Sequence, residues 1–370
     1  MDMRMTGEEE DAARLERLFE RQLHSAVQRS SSLYESLLRH CTRDLIERGP
    51  TWQLLQDRAQ EPAGDALPLR LMAAVHRLVL GGEAPDLARF YPSAGGQRPP
   101  GEAWPAFRSV LVDRAEDLRT LLEHPHQTNE VRRCSALLVG LGWIAATSNM
   151  SPAVLEIGAS AGLNLNWHRY RYQGEKVGWG PPDSPVHLSL PAGLGSFETS
   201  LGPAVESIGC DRAPLDVADP EDRLWLRSCI WGDQVDRLAT LEAALTVAAE
   251  HPPAVETSDA AAWLDRQLSR PRSGRVTVVV QSIVQQYLSP AQRTALSQVF
   301  RHAGHLATPA APLAWLRVEP PLPEHRPPQG MVGLAEVRVQ LWPGDTDHLL
   351  AHTGYHGQPV HLARNGRVCD

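Results

Sequence analysis

The chain has 370 residues, with 36 Lys and Arg against 44 Asp and Glu and a formal net charge of −8. This length predicts two closely packed units and a core large enough to form without disulfides or a structural metal. The acidic balance excludes a general phosphate-backbone binder, which needs a basic face, so no nucleic-acid partner is expected.

The acidic start, Met1–Glu10, lacks the apolar stretch of a secretory signal. From Glu10 onward the apolar residues Leu15, Leu18, Phe19, Leu23, Ala26 and Val27 recur at helical spacing. A second helix carries Leu33, Tyr34, Leu37, Leu38 and Leu45 and stops at Gly49-Pro50. A third covers Leu67–Leu80, ahead of Gly81-Gly82. After the loop Phe90–Gly96, helices are expected over Pro105–Glu123 and Asn129–Thr147. The longest apolar run, near Ala136–Ala146, is about half of the ~20 residues that a membrane span needs, so no membrane partner is expected.

The pattern changes near Ala153. Buried-strand runs are expected at Val154–Ile157, Val205–Gly209, Ala254–Thr257, Val276–Val280, Leu313–Val318, Glu336–Leu341 and Val360–Leu362. Helical stretches, notably Asp222–Glu250 and Pro290–Arg301, separate several of them, which implies α/β layering with a largely parallel sheet. Seven prolines make Pro309–Gly330 mostly irregular apart from the strand around Trp315. The seam falls near Met150–Pro152: residues 1–150 form a helical cap or substrate domain, and residues 151–370 an α/β domain. Cys41, Cys134, Cys210, Cys229 and Cys369 are odd in number, scattered and without a CxxC pair. They read as free thiols in a reducing cytoplasm.

The most informative segment is Glu156-Ile157-Gly158-Ala159-Ser160-Ala161-Gly162. A buried strand ends in tiny residues and a helix begins, so backbone and free N–H groups can approach a ligand. Two chemistries fit. One is the acid-x-Gly-x-Gly-x-Gly loop of S-adenosylmethionine binding, matched by Glu156, Gly158 and Gly162, with Ala159 between them and Ser160 in place of the middle Gly. The other is a hydrolase nucleophile elbow, Gly-x-Ser-x-Gly, with Ser160 as nucleophile. A plain strand–turn–helix connection is the third possibility. The strand's place as the first in the chain and the charged Glu156 favour the cofactor loop. An elbow also needs an acid and a later His, and His302, His305, His352 and His356 have no distinctive setting.

Asp211, in Gly209-Cys210-Asp211-Arg212-Ala213-Pro214, resembles the ribose-binding acid of many methyltransferases, since a carboxylate suits a vicinal diol. An insertion over Tyr172–Gly202 separates it from the loop. Asp183 is better spaced but lies in turn chemistry. Asp259 either accepts from an adenine amino group or caps the helix Ala260–Leu268. Gln281, at the end of a central strand, is placed on the cofactor, with Ser282 and Tyr287 on the substrate side; Tyr287 is otherwise core packing.

The sequence resembles an uncharacterised bacterial family known only as domain of unknown function 2332. The resemblance rests on Phe90–Ser93, Gln127–Val131, Glu156–Leu165, Ile208–Asp211, Pro214–Asp216 and Trp225–Trp231, and covers most of the chain. One departure is His168, where family members often carry Asp. The family looks like a helical cap joined to a Rossmann-like, methyltransferase-type domain. Within its Gln127-Thr128-Asn129-Glu130 segment, Thr128 or Asn129 caps the following helix, or Gln127, Asn129 and Glu130 reach the cofactor mouth. Tyr91 is a further substrate-side candidate, and Glu130 or His168 a general base. His348, His352 and His356 are spaced by four, as a metal-binding helix requires, but Gly354 and Gly357 interrupt it, and no metal is expected.

The expected activity is S-adenosylmethionine-dependent methyl transfer to an oxygen or nitrogen of a small-molecule substrate, driven mainly by proximity. The alternatives are a Ser160 hydrolase and a non-catalytic cofactor fold acting as a ligand sensor or scaffold. Oligomeric state is open.

Overall fold

The computed structural model describes residues 7–24, 30–175, 178–194, 201, 206–321 and 333–363. Ala26, Val27, Val205, Cys369 and the 322–330 part of the proline-rich segment lie outside the described residues. The chain divides into two compact units, Met1–Thr128 with Asp219–Ala239, and Asn129–Ala218 with Thr240–Asp370.

The first unit is helical. Helices Gly7–Gln22, Ser32–Ile46, Pro50–Leu55, Leu67–Leu80, Trp104–Asp113 and Ala115–Leu121 follow the apolar periodicity. The stretch expected as one helix over Pro105–Glu123 is broken at Arg114. The core collects Leu15, Phe19, Leu37, Leu45, Leu71, Val75, Phe107 and Leu111. The returning segment Asp219–Ala239 is fastened within the unit by polar and aromatic contacts. Asp233 accepts from Ser31 Oγ at 2.6 Å and from Leu33 N–H at 3.1 Å, and Trp231 stacks on Tyr34 at 5.6 Å.

The second unit is built on a mixed eight-stranded sheet. Its strands are β1 (Pro152–Ile157), β5 (Glu206–Asp211), β6 (Ala254–Thr257), β7 (Val276–Ser282), β8 (Leu313–Glu319), β9 (Ala335–Trp342), β10 (Thr346–Thr353) and β11 (Val360–Leu362). They lie in the order β11-β10-β9-β8-β7-β1-β5-β6. The five strands β6-β5-β1-β7-β8 are parallel, and β9, β10 and β11 follow as an antiparallel meander. The run Val276–Ser282 is buried throughout, as a central parallel strand covered on both faces must be.

One face carries Leu155, Ile157 and Val279 against Trp263, Leu264, Leu296 and Phe300 of helices Ala260–Leu268 and Pro290–Leu306. Helix Cys134–Ser148 packs against β8, β9 and β10. It therefore belongs with the sheet, and the division falls after Thr128 rather than near Met150. This helix is apolar all round, the pattern of a helix buried on every side. A Cβ on its Gly140 would come within 2.3 Å of Leu316 Cδ1, so the absent side chain sets how closely helix and sheet approach.

Two further differences follow from long-range pairing. The insertion before β5 contains a second sheet, β2 (Arg171–Gln173), β3 (Gly178–Trp179) and β4 (His187–Ser189), in the order β3-β2-β4. His348 and His352 lie on strand β10, not on a helix. Among the described residues no group of three or more metal-ligating side chains occurs, and no helix is long and apolar enough to cross a membrane.

Candidate functional site

The strand order places β1 between β5 and β7, where the chain's crossovers diverge to the two sides of the sheet. In open parallel sheets the crevice beyond the carboxyl ends at such a point is the usual ligand position. Here the loop after β1 turns sharply. Gly158 has φ +65°, Ser160 φ +55° and Gly162 φ +71°. Positive φ is free for glycine but strained for Ser160. A side chain at 158 would also press within 2.6 Å of Val284 Cγ2, and one at 162 within 2.6 Å of Val255 Cγ2.

The loop is held by neighbouring strands. Ala159 N–H donates to Cys210 O at 3.0 Å, and Ser160 N–H donates to Asp211 Oδ2 at 2.8 Å. Asp211 Oδ1 accepts Ala213 N–H at 3.0 Å. Asn129 Oδ1 accepts Leu163 N–H at 2.8 Å. Asn129 therefore anchors the exit of the loop rather than capping helix Cys134–Ser148. The preceding turn, Val131–Arg133, is capped by Glu130, whose carboxylate accepts Arg132 N–H. The Ser160 hydroxyl is buried and has no hydrogen-bond partner among the described residues. Gly158 is exposed, flanked by buried Ile157 and Ala159.

A buried polar cluster lies beside the loop. Glu156 accepts from Asn164 Nδ2 at 3.4 Å, and Asn164 Oδ1 faces Cys134 Sγ at 3.3 Å. Burial pushes the Glu156 carboxyl up to about 8, opposed by the Asn164 hydrogen bond and the Arg133 guanidinium. Arg133 donates to Ser282 O at 3.1 Å and Tyr355 O at 2.9 Å. Gln281 Nε2 donates to Glu319 Oε1 at 3.1 Å, while Gln281 Oε1 and Glu319 Oε2 are buried without partners among the described residues.

The structure thus brings together Glu156, Gly158, Ala159, Ser160, Gly162 and Asp211, with Asn129 at the loop exit and Gln281 and Ser282 on β7. Asp259 and Tyr287 lie near the same strand ends, Asp259 next to Ser258, whose N–H donates to Asp211 O at 2.9 Å, and Tyr287 with its N–H on Val284 O at 2.9 Å, but their side chains are engaged differently. Asp259 caps helix Ala260–Leu268, accepting from Ala261 and Ala262 N–H at 3.0 and 3.3 Å. Tyr287 is exposed on the short turn Gln285–Tyr287 and is not core packing. Glu130 is buried, its second oxygen 3.5 Å from His356 Nδ1.

His168 sits beside Trp167, whose indole reaches Ser207 near the start of β5, whereas the loop meets Asp211 at the other end of that strand. Burial, then the Arg169 and His251 charges, push the His168 imidazole down to about 4. Tyr91 is fully buried in the core of the first unit, tilted 5.3 Å from His76 and against Gly232, so the Phe90–Ser93 motif packs that unit. Gln127 belongs to the same unit and is buried there.

Sequence reading passed over Arg133 and Glu319. Arg133 lies three residues after Glu130 of the polar Gln127–Glu130 segment, and Glu319 is an acid at the carboxyl end of a buried strand, one residue past the expected run Leu313–Val318. Both signals were present locally; the partners that give them meaning were not.

Fold and site define a protein with a helical unit and a mixed α/β unit carrying a polar, strained cluster at its parallel strand ends. The chain belongs to the bacterial family described as "Uncharacterized protein conserved in bacteria (DUF2332)", whose model matches residues 16–361. Comparison with curated proteins and with solved structures found no match.

Proposed function

We propose that the second unit is a Rossmann-like, methyltransferase-type domain that binds S-adenosylmethionine and transfers its methyl group to an oxygen or nitrogen of a small molecule. The observation that carries this reading is the glycine loop at the switch point, tied to the carboxylate of Asp211 on the adjacent strand.

The residues present fit the group. Exposed Gly158 offers backbone at the strand end, Ser160 Oγ is a buried hydroxyl without a partner among the described residues, and the half-buried carboxylate of Asp211 would accept from the ribose hydroxyls. Glu156 would face the methionine end. When bound, the cofactor supplies a methyl group activated on a sulfonium. The chain's part is to orient the acceptor and to exclude water, so that most of the rate comes from proximity.

The hydrolase reading has one observation in its favour, the positive φ of Ser160. It lacks a base: no His and no acid bonds Ser160 Oγ among the described residues. A ligand sensor would share the binding and lack turnover.

Calorimetry with S-adenosylmethionine and S-adenosylhomocysteine tests the proposal. Saturable binding of both, weakened by replacing Asp211 with Ala, is the expected result. Absence of binding by either at millimolar concentration overturns it.

A further inference from the structure

Glu319 ends β8 and is almost fully buried. Its Oε1 gathers three donors: Val284 N–H at 2.8 Å, Gln285 N–H at 3.2 Å and Gln281 Nε2 at 3.1 Å. The residue before the two backbone donors, Ile283, stands at φ +54°. For a β-branched side chain this is an outlier that persists only when its surroundings impose it. The turn so made carries the Val284 side chain against Gly158, within 2.6 Å of where a Cβ there would sit. A chain of direct contacts thus runs from the Glu319 carboxylate, through a strained turn, to the glycine loop.

We propose that Glu319 is a positioning residue of the strand-end site: its ionised carboxylate locks the strained Ile283–Gln285 turn against Gly158, and its protonation releases that turn. The inference rests on the reading of the glycine loop as the ligand site, and it adds a means of regulating that site. Hydrogen bonds to an ionised acceptor are roughly twice as strong as those to a neutral one, so loss of the charge weakens both backbone contacts together. The strain at Ile283 then favours relaxation of the turn to negative φ.

The groups facing Glu319 are Arg133 from the turn Val131–Arg133, Tyr355 beyond β10, Arg317 on its own strand, and Glu336 opposite on β9. Glu336 is itself held by Arg338 Nε at 2.7 Å. Burial pushes the Glu319 carboxyl up to about 7, with its three hydrogen bonds and Arg133 opposing. The release therefore falls near neutral pH.

The test is amide hydrogen exchange at Val284 and Gln285 in the ligand-free full chain, corrected for intrinsic rates. Protection of both amides should fall as pH is lowered from about 8.5 to about 6. Glu319→Gln should exchange about tenfold faster at the high end and lose the pH dependence. Adding Ile283→Gly to that variant removes the strain and should restore most of the protection. Unchanged protection in Glu319→Gln, or a pH dependence that survives in it, overturns the proposal. So does a loss of protection that spreads along β7 and β8 and that Ile283→Gly does not repair. Calorimetry with S-adenosylmethionine on the same proteins keeps the two readings apart. If the wild type does not bind, the cofactor reading fails, while the exchange data still decide the lock.

Discussion

The Asp211 carboxylate accepts the backbone N–H of Ser160 at 2.8 Å, joining the end of β5 to the loop that leaves β1. Its other oxygen takes Ala213 N–H, so one side chain organises the ends of two adjacent strands. Asp211→Ala leaves both donors without this acceptor. It should cost about 2 kcal/mol in chemical denaturation and weaken S-adenosylmethionine binding more than tenfold. Asp211→Asn keeps one acceptor oxygen and should fall between the two. Equal stability of Asp211→Ala and wild type would remove the anchoring role.

Ser160 stands where the cofactor motif has its middle glycine, in a backbone conformation that glycine adopts freely. Ser160→Gly should therefore raise stability by up to about 1 kcal/mol, while weakening S-adenosylmethionine binding about threefold to tenfold because it removes the hydroxyl offered to the cofactor. The wild-type protein should not label at Ser160 with a fluorophosphonate, since no base polarises the hydroxyl. Stoichiometric labelling would favour the hydrolase reading instead.

Gly158 meets both limits on substitution, a positive φ and a neighbour in the way. Gly158→Ala should displace Val284 and cost about 1–3 kcal/mol, with loss of calorimetric binding. Binding at wild-type affinity by a folded Gly158→Ala would place the ligand elsewhere.

Glu156 gives a pH dependence whose sign can be worked out. Its carboxyl is raised from 4.5 to about 8 in the fold, so between these values the native state holds a proton that the unfolded state has lost. Stability then falls as pH rises through this window and levels off above it. Glu156→Gln has no such loss, so its Tm should gain on the wild type as pH rises from about 4.5 to about 8. Parallel Tm curves for the two proteins would show that Glu156 is not desolvated.

Asp259 separates capping from adenine binding. With Oδ1 on two helix amides, Asp259→Ala should lower stability by about 1 kcal/mol and leave S-adenosylmethionine affinity nearly unchanged. A large fall in affinity at unchanged stability would assign Asp259 to the ligand.

Much of the second unit was legible because the signal is local. Val276–Val280 is an apolar β-branched run of strand length, and Glu156–Gly162 concentrates tiny residues directly after such a run. Positions that depend on periodicity alone were ambiguous. His348 and His352 are four apart, a spacing that puts side chains on one face of a helix and also of a regular strand, but the register shift between Leu349 and Ala351 pairs them with Val339 and Glu336, which point to opposite faces of β9. Only pairing of β10 with β9 and β11 made that segment a strand. Tyr91 shows the same limit: a tyrosine in a Pro- and Gly-flanked loop suits a substrate-side role, whereas contacts distant in sequence, with His76 and with Gly232 of the returning segment, place it in the core of the first unit.

Local chain chemistry sufficed for the strand-and-helix alternation, the glycine loop, the acids at its strand ends and the family, because propensity, side-chain size and charge act between near neighbours. The strand order, the inclusion of helix Cys134–Ser148 in the α/β unit, and the roles of Arg133 and Glu319 were decided only in the folded chain. Those depend on hydrogen bonds and burial between residues far apart in sequence: Glu319 lies 35 positions from Val284, and Arg133 lies 149 from Ser282. A carboxylate acquires a raised pKa, and a turn acquires its strain, from what surrounds it in space rather than from what precedes it in the chain.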